Sequence, residues 1–161
     1  MDQARRDDNG GAAAPYVVCR SSTCLCAFPV ASVVETMRPL PIEPLAAAPA
    51  FVLGVSVIRG VPVPVVDTAR LLGAVPTASP QRVVTLKVGA RRVGLAVDSV
   101  IGMRLIAAAV LDDIPPLLRE SRDEVVSAIS TLDSELLLVL QGARIVPAAL
   151  WSAMDAEAGQ A

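Results

Sequence analysis

Few side chains in this sequence are equipped for chemistry, and their spacing points away from catalysis. The chain has 161 residues and no histidine. That excludes His-based triads, Cys-His dyads, HExxH zinc sites and any phosphohistidine relay. Neither a GxxxxGK(S/T) phosphate loop nor a GxGxxG turn is present. Asp67 and Asp98 each follow an apolar run. Asp67 precedes the helical stretch TARLLG and suits an N-cap, while Asp98 suits a turn or cap. Asp112-Asp113, ahead of Ile114-Pro115-Pro116, reads as a loop opening and not as a metal cage. Cys19, Cys24 and Cys26 are odd in number. They are expected to be small buried thiols in a reducing compartment, with a Cys19–Cys24 bridge across the intervening turn as the alternative. Zinc would need a fourth ligand, and no histidine can supply it. No catalytic residue, metal site or cofactor is expected.

A different kind of site stands out in Pro49–Gly73, PAFVLGVSVIRGVPVPVVDTARLLG. Val52, Gly54, Ser56 and Ile58 alternate with Leu53, Val55 and Val57, which suits a pleated strand buried on at least one face. Gly60 can adopt positive φ at the reversal. On the return, Val61, Val63 and Val65 share one face, and Pro62 and Pro64 remove amide donors. Prolines at alternate positions predict an edge or bulged strand, because a central strand needs both ladders. A nearly charge-free strand pair thus presents one cation, Arg59, at a tight corner. The chemistry on offer is recognition.

The elements that must hold this corner are short and apolar. Apart from Met1, residues 1 to about 14 lack a large apolar side chain and are expected to form a flexible tail, leaving one domain over residues 15–157. Tyr16–Arg20 and Thr23–Phe28 predict a hairpin around Ser21-Ser22. Val30, Val33, Val34 and Met37 follow i, i+3, i+4, i+7 spacing and predict a short helical turn. Pro39, Pro41, Pro44 and Pro49 mark an irregular crossing. Thr68–Leu72 predicts a turn of helix ended by Gly73. Further strands are predicted at Val83–Val88, Arg92–Val97, Val100–Ile106, Val125–Leu132 and Glu135–Leu140. Ile114–Leu118 reads as a Pro-rich loop, and Pro147 as the first turn of a terminal helix. The fold class is therefore all-β, two small barrels side by side with short helices and a C-terminal helix, divided near residues 75–81.

Composition narrows the function. Hydrophobic residues make up 53% of the chain, so most of it must fold. The longest uncharged run, Pro44–Ile58, is broken by Pro49 and Gly54 and is too short for a membrane span of about 20 apolar residues. No basic n-region followed by an apolar h-region opens the sequence, so a cytoplasmic location is expected. A net charge of −2, scattered arginines and only four aromatic residues give no reason to expect nucleic acid.

The hairpin segment resembles the chemotaxis coupling protein family, the CheW-like domains. Pro49-Ala50-Phe51, Gly54-Val55, Ile58-Arg59-Gly60 and Pro64-Val65-Val66-Asp67 stand at the family's spacing. Val57 departs from the family's usual asparagine, and Thr68 from its leucine. A second block, Val93-Gly94-Leu95-Ala96-Val97-Asp98-Ser99-Val100, is similar to the family's Val-Gly-Leu-x-Val-Asp-x-Val. Together with Val30–Glu35 and Leu136–Leu140, the resemblance runs from Tyr16 to Trp151. It implies SH3-like barrels and a non-enzymatic adaptor, coupling the cytoplasmic tip of a chemoreceptor (a methyl-accepting chemotaxis protein) to the regulatory domain of the histidine kinase CheA. It implies a place at membrane-associated receptor arrays without membrane insertion. By the same resemblance, Arg59, Gly60, Val33, Glu35 and Gly54 belong to the receptor site, Gly54 and Gly60 through backbone geometry, and Val97 and Val100 to the kinase site, with core packing the equal alternative for Val33 and Val97. Arg59 is expected to pair with Glu35 when no partner is bound. The competing readings are a scaffold for a non-flagellar pathway (type IV pili, gliding or gene expression) and a small β-barrel ligand-binding module.

Overall fold

A computed structural model of the chain describes residues 13–75, 79–114 and 125–158. Among these, ten strands dominate: β1 (Ala13–Ser21), β2 (Cys24–Pro29), β3 (Val33–Met37), β4 (Val52–Ile58), β5 (Val61–Asp67), β6 (Arg82–Val88), β7 (Arg91–Val97), β8 (Ser99–Ala107), β9 (Val126–Leu132) and β10 (Glu135–Leu140). Helix α1 spans Thr68–Leu71 and helix α2 spans Ala148–Ala158. No helix among the described residues is long and apolar enough to cross a membrane.

The strands form two five-stranded sheets, ordered β3-β6-β7-β5-β4 and β8-β1-β2-β10-β9. We call them the central and the terminal barrel, because the second contains strands from both ends of the chain. Each is closed by a strand-like contact across its opening. Glu43, downstream of β3, exchanges two backbone hydrogen bonds of 2.8 Å with Val55 of β4. Asp112, downstream of β8, does the same with Ile129 of β9, at 2.8 and 3.0 Å. The expected pair of SH3-like barrels is present. The division near 75–81 is not, since β5 and β6, on either side of it, belong to one sheet. Pairing decides membership: β1 and β2 find partners in β8 and β10, far along the chain.

Each sheet buries one face against the other sheet. Cys19, Cys26, Phe28, Leu138 and Leu140 of the terminal barrel meet Val66, Val84, Leu86, Val93 and Leu95 of the central barrel in one continuous core, joined by Ile145 and Leu150. A smaller cluster, Val18, Leu25, Ala27, Ile106, Leu137 and Val139, fills the terminal barrel itself. The cysteines are free. Cys19 lies opposite Cys26, not opposite Cys24, so the register rules out a bridge between the two predicted turn neighbours. Burial pushes the Cys19 thiol up to about 12. Burial raises Cys26 as well, with smaller additions from Cys19 and Cys24.

Three local expectations are corrected. Val30–Met37 is not a helical turn: a 3-10 turn at Val30–Ser32 leads into β3, whose half-buried Val33, Glu35 and Met37 alternate with exposed Val34 and Thr36. The apolar spacing fitted both periods, and pairing with β6 chose the strand. Strand β5 is not an edge, for it lies between β7 and β4. Its ladder to β7 begins only at Val65, so Pro62 and Pro64 sit where no amide is required on that side. Finally, Ala13 and Ala14, assigned to a tail, already pair with Ala107 and Ile106. Residues 1–12 of that tail, and 115–118 of the Pro-rich loop, lie outside the described residues.

Candidate protein-docking site

Ile58 and Val61 pair across a two-residue turn, Arg59-Gly60. Both turn residues have positive φ, 52° at Arg59 and 78° at Gly60, the combination that matches the twist of a two-residue hairpin. Glycine takes this conformation without cost; arginine does so against its preference. The corner is flanked by Val57, 66% exposed, and by exposed Val61 and Pro62. An apolar, solvated hairpin tip carrying one cation is the outcome.

Arg59 reaches across the barrel opening to Glu35 on β3. Its Nε and Nη2 donate to the two carboxylate oxygens at 2.9 Å each, a bidentate pair between the two outermost strands of the central sheet. The pair is lopsided: the Arg59 side chain is 71% exposed and that of Glu35 only 21%. Hydrogen bonding from Arg59, aided by the charges of Arg59 and Arg92, holds the Glu35 carboxyl below its usual range. The pair therefore persists at neutral pH and loosens as pH falls through that lowered value.

Thr85 sets where Glu35 stands, a role that motif reading missed. The β3–β6 register shifts between Val33 and Glu35. Thr85 Oγ1, buried on β6, accepts from the Glu35 amide and donates to the Glu35 carbonyl, both at 3.2 Å. A threonine inside an apolar run, Val83-Val84-Thr85-Leu86, was the available signal.

Gly54 serves geometry. It is buried with φ of 145°, and a Cβ there would stand 2.1 Å from the Glu43 carbonyl oxygen. The close approach is what lets Glu43 close the barrel, so Gly54 does not itself face a partner. Val33 packs partly against the shared core. Arg59, Gly60, Glu35 and Val33 are thus brought to one end of the central barrel, with Gly54 beneath them.

The residues expected on the kinase side fare differently. Val97 is 1% exposed in the shared core, which withdraws it from any partner. Val100 is half-buried against the same core. The next residues of β8 are the exposed ones. Ile101, Met103 and Leu105, at 42%, 61% and 72%, form an alternating stripe on an outer strand. Their spacing was legible as a strand face, but apolar residues on both faces hid which one turned outward.

Asp67 and Asp98 do structural work. Asp67 caps α1 by accepting from the Arg70 amide at 3.4 Å. Asp98 accepts from the Ser22 amide at 2.7 Å, tying the β7–β8 junction to the β1–β2 turn. No group of side chains suited to a metal occurs among the described residues.

Comparison with known proteins agrees with this architecture. Residues 15–149 match a family model described as the CheW-like domain. The chain is similar to the crystal structure of scaffolding protein TtCheW from Thermoanaerobacter tengcongensis. The TM-score is 0.72, with 21% identity over 80% of this chain and 89% of that chain. At that identity the likeness bears on the fold. No curated protein shows a significant match to the sequence. With most of its length matched and both barrels in place, the chain belongs to the CheW-like domain family.

Proposed function

We propose that this chain is a non-enzymatic adaptor that couples the cytoplasmic tip of chemoreceptors to the regulatory domain of the kinase CheA, in the cytoplasm at membrane-associated receptor arrays. The supporting observation is the Arg59 corner. A bidentate pair holds the arginine in place while most of its surface stays in water, and apolar Val57 and Val61 flank it. A helical receptor hairpin offers an apolar stripe edged by polar groups, which this corner complements. Arg59 orients a receptor carboxylate or carbonyl, Glu35 holds Arg59 until then, and Gly60 allows the close approach. On the kinase side, the stripe Ile101, Met103 and Leu105 on an outer strand suits pairing with another β-barrel.

Two substitutions separate these surfaces. Arg59→Ala is expected to weaken receptor-tip binding at least about tenfold while leaving kinase-domain binding within about twofold. Met103→Glu is expected to do the reverse. Unchanged receptor affinity in a folded Arg59→Ala protein would remove Arg59 from the receptor site. Unchanged kinase affinity in Met103→Glu would move the kinase surface elsewhere.

A further inference from the structure

Strands β5 and β7 run parallel, so the turns leading into them, Arg59-Gly60 and Gly89-Ala90, lie at the same end of the central barrel. Arg91 and Arg92 open β7 directly after the second turn. Helix α2 crosses that end, and between helix and turns lies an open cleft of about 530 Å³. Arg59, Arg91 and Arg92 line it, together with Trp151, Met154 and Asp155. Three guanidinium groups meet one carboxylate within the cleft, with the Arg59-paired Glu35 carboxylate beside it, a local excess of one positive charge in a chain whose net charge is −2. Such an excess focuses a positive field in a concave place.

The cleft already holds one carboxylate of the molecule's own. Arg91 donates to Asp155 through both Nη atoms, one bond measuring 3.0 Å, and its guanidinium lies over the Trp151 ring, 4.9 Å from the centroid. Asp155 satisfies only that arginine. Arg92 makes no hydrogen bond or ion pair among the described residues. Arg59 retains its Nη1 donors after binding Glu35. The donors left over suit further carboxylates.

We propose that this cleft docks an acidic segment of a partner protein, and that Asp155 on α2 is the internal carboxylate with which that segment competes. The proposal goes beyond the adaptor reading, because it holds whichever protein supplies the segment. An acidic peptide fits better than nucleic acid. The one aromatic ring in the cleft is already stacked on Arg91, leaving no platform for bases.

Trp151 is the only tryptophan of the chain and reports on the cleft directly. The test is a fluorescence titration of the full chain with octaglutamate, octalysine and single-stranded octathymidylate. Octaglutamate is expected to give a saturable change that octalysine does not, lost in about 1 M salt, where the Debye length is about 3 Å. Arg92→Gln should weaken octaglutamate at least about fivefold, and Asp155→Asn, by releasing Arg91, should tighten it at least about twofold. No saturable signal with octaglutamate would overturn the proposal. So would unchanged affinity in Arg92→Gln or Asp155→Asn, or tighter binding of octathymidylate. Arg59 is shared with the proposed receptor site, but neither variant alters it and neither receptor nor kinase enters the measurement, so a failure here is distinguishable from a failure of the adaptor reading.

Discussion

The central and terminal barrels are wired alike, yet filled and tipped differently. In each, an outer strand leads through a one-residue bridge into a two-residue hairpin, and the hairpin's second strand runs parallel to an interior strand. Strands β3 to β7 of one correspond in order to β8, β9, β10, β1 and β2 of the other, a circular permutation of the same plan. Each barrel buries a serine that donates to a backbone carbonyl near its bridge, Ser56 to Pro41 in the central barrel and Ser130 to Val110 in the terminal one. The central barrel also buries Thr85, opposite the side-chain-free Gly94 and among valines. The hairpin tips differ as well: Arg59-Gly60 in one, Asp133-Ser134 in the other, all four residues with positive φ. One connectivity thus supports an Asp-Ser tip in one copy and a positioned arginine in the other. Thr85 inside the central barrel places β3 and Glu35 through its two hydrogen bonds.

The sharpest break in the comparison lies at the bridges. Gly54 precedes Val55 as Ala128 precedes Ile129, but only at Gly54 would a Cβ collide with the bridging backbone. Gly54→Val is expected to destabilise by more than about 3 kcal/mol or to prevent folding. Ala128→Gly should cost only about 1 kcal/mol. Urea unfolding of both variants measures the difference, and equal losses would show that the barrels close in the same way.

The interiors come next. Leu137→Ala removes a fully buried side chain from the terminal barrel and is expected to cost about 2–5 kcal/mol. Thr85→Val nearly preserves volume but strands the Glu35 amide and carbonyl, at about 1–3 kcal/mol. Only Thr85→Val should also weaken receptor binding, since it alone displaces Glu35. A receptor affinity unaltered in that variant would reduce Thr85 to a packing residue.

The smallest effect concerns the tips. Ser134 carries φ of 68° without being glycine, so Ser134→Gly should gain up to about 1 kcal/mol and Gly60→Ser lose a similar amount. Thermal unfolding of the two variants, measured side by side, checks the opposed signs.

Much of this was legible along the chain. Period-two alternation located β4, β6, β7, β9 and β10, and the turn residues located their hairpins, because these features depend on near neighbours. Asp67 was recognisable as a cap for the same reason. Two strands were misjudged where local signals conflict. Val30–Met37 satisfies helical and strand periods alike, and the prolines of β5 announce an edge although only its first half lacks a neighbour. The site was half legible. Arg59 was evident from an isolated cation in a charge-free hairpin. Thr85 was not, because nothing along the chain connects position 85 with position 35.

By itself, the sequence determined that this protein is built from short strands, that it has no histidine to stand beside its cysteines and carboxylates, and that Arg59 sits at a tight corner. Those are properties of residue type and local spacing. Tertiary structure alone decided that the chain ends share a barrel and that Thr85 holds Glu35 in place to meet Arg59. It also turned Val97 inward and Met103 outward, and gathered three arginines under α2. Each of these depends on which distant strands pair, and pairing is settled by burying both faces of two sheets at once.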